Sequence, residues 1–176
     1  MTNEIQKTTF LYQLKSYGLK NFFISFDFIV SFIVLVTMLI DRYFNLNIFS
    51  LGNSNYVIGI FAVASTLFAI VLAALAIILS FSSGEFMSFL RKNNKLAPLL
   101  FLFWVGNAAY LVVIILSTVY LVFNLERYLF LKEYLYPFII ATFIYAVINT
   151  FYLLATVIRF GHFLDIYERF KNGMIK

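Results

Sequence analysis

The sequence predicts an all-α integral membrane protein: four transmembrane helices in an up-down bundle, with short interfacial helices on the cytoplasmic side. Three observations carry that expectation. Residues are 63% hydrophobic and 12% charged, with a mean hydropathy of +0.94, far from the half-apolar, quarter-charged balance of soluble domains. Four apolar windows, at about 22–40, 57–81, 98–123 and 137–158, each approach or exceed the ~20 residues that cross a hydrocarbon core. The charge is also sorted along the chain. Lys7, Lys15, Lys20, Arg91, Lys92, Lys95, Arg159, Arg169, Lys171 and Lys176 lie in three alternate segments, and only Arg42, Arg127 and Lys132 lie in the other two. By the positive-inside bias, both termini and the central loop are cytoplasmic.

The whole chain, 1–176, reads as one membrane domain. Its N-terminal arm, 1–21, puts Phe10, Leu14 and Tyr17 on one helical face and Lys15 and Lys20 near the other, as a helix lying on the inner leaflet would. The first window follows without a small-residue cleavage site, since "DRYFNL" comes after it, so it is expected to be retained as a span. The central loop "SSGEFMSFLRKNNK" spaces Phe86, Phe89 and Leu90 as a second, shorter interfacial helix would. Pro98 and Pro137 stand where the third and fourth windows begin. Proline suits a first helical turn because its missing N–H would be unpaired there anyway. The segment "NLERYLFLKEYLYP" is expected as an outer loop, with Glu126, Arg127, Lys132 and Glu133 as solvated ion pairs and Tyr128, Tyr134 and Tyr136 as an aromatic belt. After Arg159 the helical period continues through His162, Asp165 and Arg169, so the tail, 159–176, is expected to prolong the fourth helix, with Gly161 as a weak point or hinge.

Polar groups inside the apolar windows are the candidate functional residues. The fourth window repeats Thr142, Tyr145, Asn149, Tyr152, Thr156 and Arg159 at steps of three and four, which places them on one helix face. Asn149 and Asn107 both fall near mid-bilayer, at levels where antiparallel neighbours could meet. An amide unpaired in hydrocarbon costs several kcal/mol, so neither should face lipid. Two uses compete: interhelical glue, at about 0.6 kcal/mol per pair, or the wall of a hydrated cavity or pore. Asp27 is the one carboxylate inside a window, Arg159 ends the fourth at similar depth, and first and fourth helices are neighbours in an up-down bundle. The two are expected to pair, as a latch or at a cytoplasmic mouth. The second window adds a small-residue face, Ala62, Ser65, Ala69, Ala73, Ala76 and Ser80, of the kind that lets helix backbones pack closely.

Chemistry is argued against by what the sequence lacks. It has no cysteine, a single histidine at 162, no P-loop, no Gly-rich dinucleotide turn and no Ser-His-Asp set. No cofactor, no metal and no enzymatic activity are expected. The net charge of +5 serves topology rather than nucleic acid, because no soluble module is present to carry a basic face. A chain this small has little room for a private pathway, so the leading expectation is a homo-oligomeric pore or ion channel. The alternative is a non-conducting anchor or accessory subunit that recruits a cytoplasmic or membrane partner. By loose analogy alone, small four-span chains without a catalytic site are common among membrane effectors of prokaryotic stress or antiviral systems. That analogy points to a prokaryotic plasma membrane.

Overall fold

The computed structural model describes residues 25–44, 54–81, 84, 87–88, 96–123 and 129–171. The expected arm 1–21, most of the central loop, Glu126, Arg127, Tyr128 and the end of the tail lie outside these residues. Every element among them is helical: α1 (Phe26–Phe44), α2 (Ser54–Phe81), α3 (Leu96–Val122) and α4 (Leu129–Lys171). Three helices are long and apolar enough to cross a membrane, over Ser54–Ser80, Leu100–Val122 and Tyr134–Arg169. The first expected span, 22–40, falls on α1, which has 19 residues and includes Asp27, Asp41 and Arg42. At 1.5 Å per residue it is about 28 Å long, close to the ~30 Å hydrocarbon thickness, but with Asp27 near its start and Asp41 and Arg42 near its end it lacks the long charge-poor stretch of the other three.

The helices pack in the row α1, α4, α3, α2, with α4 between α1 and α3 and only a minor contact between α2 and α4. First and fourth helices are therefore neighbours, as expected. The end of α1, the start of α2, the end of α3 and the start of α4 share one apolar cluster, formed by Met38, Val57, Tyr120, Tyr136 and Ile139. A second, larger core joins α2, α3 and α4 through Ala64, Val71, Ile78, Phe103, Tyr110, Val113, Ala146, Leu153 and Phe160.

Strict spacing underlies this packing. The buried residues of α2 are Val57, Ala64, Val71 and Ile78, one every seven residues, with half-buried Ile60, Leu67 and Ala74 between them. On α3 the buried seam runs Phe103, Gly106, Tyr110, Val113, Ser117 and Tyr120, again at steps of three and four. A mean period of 3.5 keeps each seam facing its partner over the whole length, as in left-handed helix packing. Gly106 marks the tightest point. A Cβ there would lie 2.9 Å from Leu153 Cδ1 and 3.5 Å from Asn149 Oδ1, so its absence lets α3 and α4 close together at the level of Asn149.

One proline boundary agrees with expectation and one differs. Pro98 lies in the first turn of α3, where its missing N–H costs nothing. Pro137, however, does not start a helix: α4 begins at Leu129 and carries Pro137 inside it. Residues 129–136, expected as loop, are its first two turns. An interior proline forfeits one backbone hydrogen bond. Here its side chain is fully buried beside Tyr136 and Ile139 of the four-helix cluster, and that packing holds the turn in place. At the other end α4 runs unbroken through Gly161 to Lys171, because Phe160, Leu164 and Tyr167 continue its apolar seam onto the larger core. Its 43 residues measure about 64 Å, twice a hydrocarbon core.

Candidate functional site: a polar cleft between α1, α3 and α4

The site begins with the face that α1 turns inward. Its buried residues are Asp27, Ser31, Met38 and Asp41, while Phe26, Ile29, Phe32, Ile33 and Ile40 are exposed. The helix starts just after Ser25, whose carbonyl accepts the Ile29 N–H at 3.1 Å. Asp27 therefore occupies the first turn, where the positive end of the helix dipole favours a carboxylate. Four residues on, the Ser31 hydroxyl donates to the Ala141 carbonyl at 2.6 Å, tying α1 to α4.

A cleft of about 360 Å³ opens between the start of α1, the start of α3 and the middle of α4. Ser25, Phe26 and Asp27 form one wall, Phe101, Leu102 and Val105 the second, and Tyr145, Asn149, Tyr152, Ala155, Thr156 and Arg159 the third. Five of the six polar candidates of the fourth window, Arg159 among them, and Asp27, its expected partner, thus line one space. From Arg159 to Asn149 the cleft runs along α4 for about 15 Å.

Its chemistry is set by which groups already have partners. Asn149 is 2% exposed, and its side-chain oxygen accepts no hydrogen bond. A buried unpaired acceptor costs about 1–3 kcal/mol, so this oxygen asks for a donor that the protein itself does not supply. Thr156 donates to the Tyr152 carbonyl at 2.8 Å, so its proton is used within α4. Asp27 and Arg159 share the cleft without closing a direct ion pair: the pair formed on α4 is Arg169 with Asp165, at 3.1 Å. Asp27 is buried and Arg159 exposed, so the two charges lie at different depths of one opening.

The remaining candidates sit elsewhere. Thr142 does not line the cleft, and its hydroxyl donates to the Phe138 carbonyl at 2.8 Å. Asn107, half-buried on α3, also lies outside it, with its own side-chain oxygen unpartnered; neither asparagine oxygen accepts from the other. On α2, Ala62, Ala69, Ala73, Ala76 and Ser80 are exposed and Ser65 is half-buried. The face that α2 uses within the chain is the Val57-to-Ile78 seam, whose larger side chains fill the groove of α3. Exposed Gly59 and Thr66 complete the small-residue register on the opposite side. His162 and Asp165 are exposed, and among the described residues no group of histidine and carboxylates could hold a metal.

Sequence reasoning missed three polar groups. Thr150 lies 3.0 Å from the Ala146 carbonyl as a donor, and its hydroxyl also shares a hydrogen bond with the Tyr110 hydroxyl. This bond joins α3 to α4 next to Asn149. Ser117, fully buried on α3, keeps an unpartnered hydroxyl oxygen. Asp41 is 2% exposed on α1. The 27, 31, 38, 41 spacing on α1 was the signal for the last of these. No protein-family model matches the chain, and neither a curated protein nor a solved structure shows significant similarity to it.

Proposed function

We propose that the protein is a small integral membrane protein whose four helices form an up-down bundle in the bilayer, with both termini cytoplasmic, and that copies of it assemble into a pore in which each cleft is an inward-facing vestibule. The observation that carries this reading is the convergence of Asp27, Tyr145, Asn149, Tyr152 and Arg159 on one cleft, with an unsatisfied amide oxygen at depth. Such a wall suits water and small polar permeants and is costly against lipid tails.

Three further features support the placement. The inverted face of α1, polar inward and apolar outward, is stable only where the surroundings are apolar. The hydroxyls of Thr37, Thr66, Ser80 and Thr118 each donate to the carbonyl four residues back, which satisfies them without water. Tyr43, Tyr56, Phe123 and Tyr134 are exposed around the end capped by the four-helix cluster, as an aromatic belt at the outer interface would be. The outward small-residue face of α2 is the surface on which a second copy would pack.

The test is ion flux from liposomes holding the purified chain, wild type beside Asn149→Leu, with subunit number determined on the same sample. The expected result is flux through an oligomer that the substitution reduces at least tenfold while subunit number holds. A wild type that leaks no more than empty liposomes, at any subunit number and with the membrane potential imposed in either direction, would remove the pore.

A further inference from the structure

Asp27 and Arg159 carry opposite charges into one cleft and do not meet there. Were the cleft built for structure alone, the cheapest arrangement would be a direct pair, since a charge held near an apolar core is stabilised most by its counter-charge. Instead Asp27 is 6% exposed on one wall and Arg159 is exposed on another, while the Asn149 side-chain oxygen, which has no donor, is buried toward Gly106 of α3. The unmet demands are specific: a cation with N–H donors toward Asp27, and an anion toward Arg159, whose guanidinium favours phosphate geometry. The other walls, Phe26, Phe101, Leu102, Val105 and Ala155, are apolar.

We propose that this cleft binds a zwitterionic aminophosphate group, with the ammonium at Asp27 and the phosphate at Arg159. The chemistry is that of phosphoethanolamine, as a free compound or as the headgroup of an inner-leaflet phospholipid whose chains would lie along Phe26 and Leu102. The proposal rests on the membrane placement above but not on conduction. A protein that binds the group without leaking ions would sink the pore and leave the site.

Native mass spectrometry of the purified full chain tests it, after equilibration with phosphatidylethanolamine, phosphatidylcholine or phosphatidylglycerol. Phosphatidylcholine has the same charges but no N–H donor, and phosphatidylglycerol has the phosphate without the ammonium. Wild type is expected to retain phosphatidylethanolamine about tenfold better than either. Asp27→Asn should lower retention of phosphatidylethanolamine about tenfold and leave phosphatidylglycerol unchanged, whereas Arg159→Gln should lower both. Because Arg159 is exposed, its variant keeps the test decisive even where the buried Asp27→Asn chain does not fold. Displacement of bound lipid by soluble phosphoethanolamine would assign the site to the free compound as well; lipid that the soluble compound cannot displace would assign it to the headgroup. Equal retention of the three lipids by wild type, or phosphatidylethanolamine held undiminished by Arg159→Gln, would overturn the assignment.

Discussion

The outer helices of the row, α1 and α2, face the same surroundings with opposite construction. α1 hides Asp27, Ser31 and Asp41 and shows Phe26, Phe32 and Ile33. α2 hides Val57, Ala64, Val71 and Ile78, and shows a line of alanines flanked by Ile58, Ile70, Leu72 and Ile77. In water neither outer face would be tolerable. In the bilayer placement proposed above both are, and on that placement the difference lies in what holds each helix. Apolar contacts gain nothing there from expelling water, so α2 is attached by close packing along its seven-residue repeat. α1 is attached by polar groups that have no alternative partner in hydrocarbon.

That contrast can be broken from either side. The largest effect is expected from Ile78→Ala, which empties a buried position where α2 meets the larger core. It should cost about 2–3 kcal/mol, read as a lower unfolding midpoint in mild detergent, and should leave the contact of α1 with α4 intact. Ser31→Ala removes the hydroxyl that reaches Ala141 and should cost about 1 kcal/mol, seen as faster proteolysis of α1 with the rest of the chain resistant. If Ser31→Ala has no effect on α1 and Ile78→Ala loosens it, the division of labour is wrong. The smallest effect on the single chain belongs to Ala69→Leu, on the exposed face of α2. Its midpoint should move by less than about 0.5 kcal/mol, while the subunit number falls because the added bulk fills the surface assigned to a neighbouring copy.

Much of this architecture is legible in the sequence, because long apolar windows and a 3.5-residue period survive without knowledge of partners. The stripe Tyr145, Asn149, Tyr152 and Arg159 is an instance: spacing alone put them on one face, and they line one cleft. Spacing could not say which neighbour shares that cleft, so the contribution of Phe101 and Val105 from α3 was out of reach. Thr142 shares the stripe's spacing but not the cleft, since its level lies beyond the end of the opening and its hydroxyl turns back on its own helix. Pro137 misled for another reason. The first-turn rule is local, whereas the energy holding 129–136 in helix comes from Tyr136 and Ile139 meeting Met38, Val57 and Tyr120, residues far away in sequence. Asp41 lies just beyond the first apolar window, yet its distance from Asp27 and Ser31 fits a single buried face. In α2 the small residues drew attention as the packing face, but the chain packs through the bulkier seam on the other side. Two seams on one helix look alike in sequence when both are apolar.

The most direct test of the account is the accessibility of the stripe in an intact membrane. The chain has no cysteine, so single substitutions report without background. Tyr152→Cys and Thr156→Cys lie on the cleft, and Leu154→Cys and Ile158→Cys lie on the exposed apolar face of the same helix turns. Each would be treated, in inside-out vesicles, with a charged thiol reagent that cannot cross the bilayer. Rapid labelling of the first two, with the second two protected until detergent is added, is the predicted pattern. Labelling of Leu154→Cys and Ile158→Cys with Tyr152→Cys and Thr156→Cys protected would place acyl chains against Tyr152 and Thr156 and contradict the hydrated vestibule.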